Sequence, residues 1–125
     1  MRGLPNTKLV IVDSPERTDA LAPIFKERFG ASLYITKTTD EYLEFMPPQA
    51  NKGSALRLVA ERLGVPIEET VAFGDGNNDI PLLETAGLGI AVGNAKERLK
   101  SVAKRVIGHH DEDSVGIALE EIFGV

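Results

Sequence analysis

Two short apolar runs, "TVAFGD" at 70–75 and "LGIAVG" at 88–93, flank a stretch of helical character, "DIPLLETAG" at 79–87. This arrangement leaves the chain few folds to choose from. A strand that is apolar on both faces has to be covered on both faces, and a helix between two such strands implies parallel pairing through a right-handed crossover. The same alternation continues on either side. A helix "KGSALRLVAERLG" closed by Gly64 comes first; a helix "AKERLKSVAKR" at 95–105, a short strand "VIG" at 106–108 and a last helix "SVGIALEEIF" come after. The reading from residue 49 onward is half of a doubly wound α/β layer. The glycines of "LGIAVG" fall within the apparent strand, not between a strand and a helix, so they are read as structural and not as a dinucleotide-binding fingerprint.

The first part of the chain has a different character. "KLVIVD" at 8–13 reads as a strand, followed by a helix with Ser14 as its cap, Pro15 in its first turn and Gly30 after its end near Phe29. "ASLYITKT" and "EYLEFMP" alternate apolar and polar residues around a polar turn at Thr39 and Asp40, which predicts an antiparallel hairpin ended by Pro47 and Pro48. Residues 1–48 are therefore expected to form an α+β unit, and residues 49–125 the α/β unit. No internal repeat or low-complexity segment interrupts either.

Composition narrows the function classes. At 125 residues the chain can bury roughly two-thirds of its unfolded surface. Its hydrophobic and charged fractions, 42% and 26%, are those of a globular protein. A net charge of -5 without a long basic run argues against nucleic acid as a partner. With no cysteine there is no disulfide, thiolate nucleophile or cysteine-held metal. The apolar runs are too short for a membrane helix, and "MRGLPNTK" does not read as a signal peptide, so a cytoplasmic location is the expectation.

The chemistry concentrates in "GDGNND", residues 74–79. Asp75, Asn77 and Asp79 match the first, third and fifth positions of a calcium loop, but Ile80 stands where the turn needs glycine and Ala86 where a bidentate glutamate is needed. A plain turn, with Asp75 and the asparagines satisfying backbone groups and capping the next helix, stays open on local residues alone. Position favours a site. Ligands of open α/β sheets bind beyond the carboxyl ends of the strands, and "VAFGD" delivers Asp75 there, where a hard carboxylate suits magnesium.

"GDGNND", together with "NKGSALRLVAERLGV" before it and "IPLLETAGLGIAVGNA" after it, resembles the haloacid dehalogenase superfamily, specifically its Cof-type sugar-phosphate phosphatases. The resemblance implies a partial Rossmann-like parallel sheet, with residues 1–48 as the second half of a mobile cap and 49–125 as the C-terminal part of the core. It also implies roles. Lys52 would neutralise the phosphoryl group and the aspartyl-phosphate, and Asp75 would ligate Mg2+. Asn78, which could cap the following helix or orient a ligand, and Asp79, which could steer the metal's water shell or hold a neighbouring lysine, would complete the loop, and Asn94 would lie near the substrate, a small phosphorylated metabolite. Glu44 and its hairpin are candidates for the choice of substrate.

The family's chemistry starts from an aspartate at the end of a first strand, with a second aspartate two residues later. In "KLVIVDSPER" the residue two after Asp13 is Pro15, which cannot exchange a proton. Asp111 and Asp113 have the spacing but sit in what reads as a solvated loop. His109 and His110, adjacent in an extended chain, would point apart, so a shared metal is not expected of them. The resemblance thus implies the C-terminal half of a longer phosphatase, through truncation or a split gene, without the nucleophile and inactive alone. In the family the missing first strand lies beside the strand that ends at Asp75. That strand is then expected to present an open apolar edge, to be covered by self-association or by the missing N-terminal half. The other reading is a non-catalytic module that keeps the metal and phosphate pocket.

Overall fold

A computed structural model of the chain describes residues 6–124. Contacts divide it into two compact units, one ending at Asn51 and the other beginning at Lys52.

The first unit is β1 (Leu9–Val12), α1 (Pro15–Phe29), β2 (Tyr34–Lys37) and β3 (Tyr42–Met46). The hairpin forms in the register its alternation predicts, Ile35 opposite Phe45 and Lys37 opposite Leu43, and β1 pairs antiparallel with the other edge of β3. The period-two pattern places Ile35, Leu43 and Phe45 in one apolar cluster, packed against Leu21, Ala22, Phe25 and Phe29 of α1. Phe25 meets the Phe45 ring edge-on at 5.1 Å. Thr18 is fully buried, and its hydroxyl donates to the carbonyl of Asp40 at 2.6 Å, tying the start of α1 to the hairpin turn.

The second unit contains α2 (Lys52–Leu63), β4 (Val71–Gly74), α3 (Ile80–Thr85), β5 (Leu88–Ala91), α4 (Glu97–Lys100), β6 (Arg105–Val106) and α5 (Ser114–Phe123). Its sheet is parallel in the order β4-β5-β6, with Val71 opposite Leu88 and Ile90 opposite Arg105, as the helix-linked apolar runs require. Ala72, Leu83, Ala86, Ala91, Val92, Ala95 and Leu99 form its core. Gly64, at φ +68, closes α2 as the sequence predicts. Among the described residues β4 is an edge strand.

One element differs from expectation. The helix read over 95–105 is reduced to the single turn of α4, because the chain has to leave the helix to reach the sheet: the Lys104 N–H donates to the Gly89 carbonyl at 2.9 Å and the Ile107 N–H to the Ala91 carbonyl at 3.0 Å. Leu99 remains as its fully buried anchor. The turn after β4 also begins as a 3-10 segment, Asn77–Asp79, before α3 takes over. No helix among the described residues is long and apolar enough to cross a membrane.

Candidate active site

The carboxyl ends of the three parallel strands carry the site, and close backbone approach shapes it. A Cβ on Gly74 would stand 2.7 Å from Asp79 Cβ and 2.9 Å from Leu83 Cδ1, so only glycine lets β4 end against the following turn. The next residue, Asp75, is exposed beyond the strand end. After β5 the Gly93 N–H donates to the Gly108 carbonyl at 2.8 Å, and Asn94 Oδ1 accepts the His110 N–H at 3.3 Å. The loops after β4, β5 and β6 thereby bring Asp75, Asn94 and His110 to one edge. The start of α2 adds Lys52. A Cβ on Gly53 would lie 2.3 Å from the Pro81 carbonyl, so the glycine that follows the lysine sets how near α2 comes to α3.

Asp79 organises this edge. Its side chain is almost wholly buried, one oxygen accepts the N–H groups of Asp75 at 3.0 Å and Gly76 at 3.1 Å, and the other accepts a charge-assisted bond from Lys52 Nζ. Burial pushes its carboxyl pKa up. The Lys52 hydrogen bond, the two backbone donors and the Lys52 charge outweigh that effect and hold it below the ordinary carboxylate value. The backbone-satisfying role that the local sequence offers to Asp75 belongs to Asp79. Asp75 is left facing solvent, and its carbonyl accepts the Lys96 N–H at 3.1 Å.

Lys52, Phe73, Gly74, Asp75, Asp79, Val92, Asn94 and His110 line an open cleft of about 440 Å³. Of the residues singled out in the sequence, Lys52, Asp75, Asp79 and Asn94 meet there. Asn78 stands outside the lining; its Oδ1 lies 2.7 Å from where a Cβ on Gly76 would be. His110 is the residue that sequence reasoning missed. An extended chain would point it away from His109, but residues His110–Glu112 form a 3-10 turn, and the two rings lie 4.5 Å apart. The available signal was its place after the third strand of a parallel sheet.

Other candidate carboxylates are engaged locally. Asp13 accepts the Ser14 N–H at 2.8 Å and pairs with Arg17 at 3.1 Å. Glu44 is buried, and its Oε1 accepts from Lys8 Nζ at 2.8 Å and Thr38 Oγ1 at 3.0 Å.

The donor set fits a hard divalent cation. Asp75 offers carboxylate oxygens at the mouth of the cleft, and Asp79 is already committed to Lys52 and two amides. Charge points the same way. Two carboxylates and one ammonium leave the cleft negative, and a divalent ion at Asp75 reverses that sign.

A sequence profile of haloacid dehalogenase-like hydrolases matches residues 3–119. The chain is 39% identical over 107 residues to phosphatase YwpJ of Bacillus subtilis, covering 78% of this chain and 38% of that protein. It is 35% identical over 125 residues to HMP-PP phosphatase of Serratia proteamaculans, covering 96% and 46%. Among solved structures it superposes on the sugar phosphatase BT4131 with a TM-score of 0.78 at 27% identity, over 94% of this chain and 43% of that one. The chain spans less than half the length of each of these relatives.

Proposed function

The chain belongs to the haloacid dehalogenase superfamily, in its Cof-type branch, and on that premise we propose that it forms the metal- and phosphate-holding part of a magnesium-dependent phosphatase acting on small phosphorylated metabolites. The observation that carries this reading is the Lys52–Asp79 pair set beside Asp75 in one cleft. Asp79 is a positioning residue. It fixes the Lys52 ammonium and the 75–79 loop, so the cation is in place before a phosphoryl group arrives and little reorganisation is needed as charge develops. Asp75 would hold Mg2+, which when bound draws charge from the transferring group. Asn94 keeps the 108–112 loop against the cleft through the His110 N–H. Residues 1–48 are assigned to the cap and 49–125 to the core.

The attacking carboxylate is not one of these. Asp79 is spent on three hydrogen bonds and Asp75 on the metal, so the phosphoaspartyl step requires an aspartate from another polypeptide segment. That aspartate's oxygen would bond to phosphorus as the ester P–O bond breaks and the leaving oxygen takes a proton from the same segment's second aspartate, two residues on. That second carboxylate would then take a proton from the water that attacks phosphorus, releasing phosphate and restoring the first aspartate. Lys52 and Asp75 serve both half-reactions. The edge position of β4 supports a neighbouring strand as the carrier of that aspartate.

A non-catalytic phosphate-binding module is the second reading, favoured by the same shortage of a free carboxylate in the cleft. Calorimetry with Mg2+ and inorganic phosphate, alongside hydrolysis of a generic phosphate ester, separates the two. We expect phosphate to bind only when Mg2+ is present, Mg2+ binding to vanish in Asp75→Asn, and turnover to appear only when a segment bearing the nucleophile is added. Robust turnover by the chain alone would overturn the assignment of the nucleophile. Absence of turnover with the added segment would favour the binding module.

A further inference from the structure

The loop after β6 brings together a second set of ligating groups that the phosphatase reading leaves unused. Ligand atoms of His109, His110 and Asp111 all lie within 4.8 Å of one another. The Asp111 carboxylate reaches one nitrogen of each ring, its Oδ2 3.3 Å from His109 Nδ1 and its Oδ1 2.9 Å from His110 Nδ1. His109 Nδ1 accepts the Asp111 backbone N–H at 3.3 Å, so this nitrogen presents its lone pair on the side where the Asp111 carboxylate lies. A lone pair and a carboxylate oxygen that close repel unless a cation stands between them, whereas His110 Nδ1 can hold either a proton or a cation toward Asp111.

We propose that His109, His110 and Asp111 form a site for a borderline divalent cation of the Zn2+ class at the rim of the cleft, separate from the Asp75 position. Two imidazoles and one carboxylate are a donor set that suits zinc and its neighbours, whereas magnesium takes oxygen ligands. Ligand atoms around tetrahedral zinc are roughly 3.3 Å apart, given bond lengths near 2.0–2.1 Å. The present spread therefore closes by rotation of side chains that are 45%, 58% and 71% exposed for His109, His110 and Asp111, a move that exchanges the 3.3 Å bond from the Asp111 N–H to His109 Nδ1 for the cation. The backbone beneath is already held. The His109 N–H donates to Glu112 Oε2 at 3.1 Å and the His110 N–H to Asn94 Oδ1 at 3.3 Å. Because His110 also lines the cleft, a cation here adds positive charge beside Lys52 and keeps coordination positions open toward whatever the cleft holds.

These are the only two histidines in the chain, so imidazole proton NMR reads the site without ambiguity. Zn2+ is titrated into the tag-free chain in a large excess of Mg2+, with no phosphate ester present, so the result stands whether or not the phosphatase reading holds. Both imidazole signals should shift together and saturate at one equivalent. In calorimetry His110→Asn and Asp111→Asn should each weaken Zn2+ binding by at least the 10–100-fold that loss of a supporting partner costs a metal site, and Asp75→Asn should leave it unchanged. The proposal is overturned if the two signals move independently or not at all, if both loop variants bind Zn2+ as the wild type does, or if Asp75→Asn abolishes binding.

Discussion

At the scale of single residues, Asp79 carries the most consequences. Its carboxyl pKa is held below the unfolded value of about 3.9, so its contribution to stability is fully present above that pH and is lost as pH falls toward the folded value. The wild-type melting temperature should therefore drop on acidification from about pH 4 downward, and Asp79→Asn should flatten that slope in a series of thermal melts. Asp79→Ala should cost about 1–3 kcal/mol, because it leaves the N–H groups of Asp75 and Gly76 without their acceptor. It should also weaken phosphate binding in calorimetry by releasing Lys52. That "GDGNND" held a polar site, with Asp79 as one possible holder of a lysine, was legible in the sequence; its burial and its bonds to the N–H groups of Asp75 and Gly76 were not. Asp75 and Asp79 are the same residue type, and only the press of β4 against the following turn decides which of them is buried.

Elements show how backbone proximity builds the cleft. Gly53 lets α2 touch the Pro81 carbonyl, a backbone atom that cannot rotate away. Gly53→Ala should cost about 1–3 kcal/mol as an overpacked contact and displace the Lys52 end of α2. Chemical denaturation reads the first effect and phosphate affinity the second. A Gly53→Ala variant with wild-type stability and affinity would mean that the approach of the two helices does not set the position of Lys52. The pattern of apolar runs predicted each strand of this unit, because burial on both faces leaves a mark in sequence. The shortness of α4 left no such mark. Charges spaced along 95–105 fit a helix, and the helix stops because Lys104 and Ile107 are drawn into pairing with β5, a contact between segments far apart in sequence.

For the molecule as a whole, two separate cores mean that stability and ligand binding respond differently to damage. Leu43 and Leu83 are both almost fully buried, one in each unit, and Leu→Ala at either should cost about 2–5 kcal/mol. Leu83 supports the turn behind Gly74, and every side chain that lines the cleft comes from the second unit. Leu83→Ala should therefore weaken Mg2+ affinity as well as stability, and Leu43→Ala should lower stability alone, which calorimetry on both variants checks. By itself the sequence determined the α/β class, the hairpin, the parallel strands and the polar motif that holds Asp75 and Asp79, because hydrophobic period, turn chemistry and a dense polar motif are local signals; Lys52 and Asn94 were singled out by the family resemblance. Tertiary structure decided what depends on strands and loops distant in sequence meeting at one edge. It made Asp79 the buried organiser and left Asp75 exposed, and it brought His110 to the cleft beside His109 and Asp111.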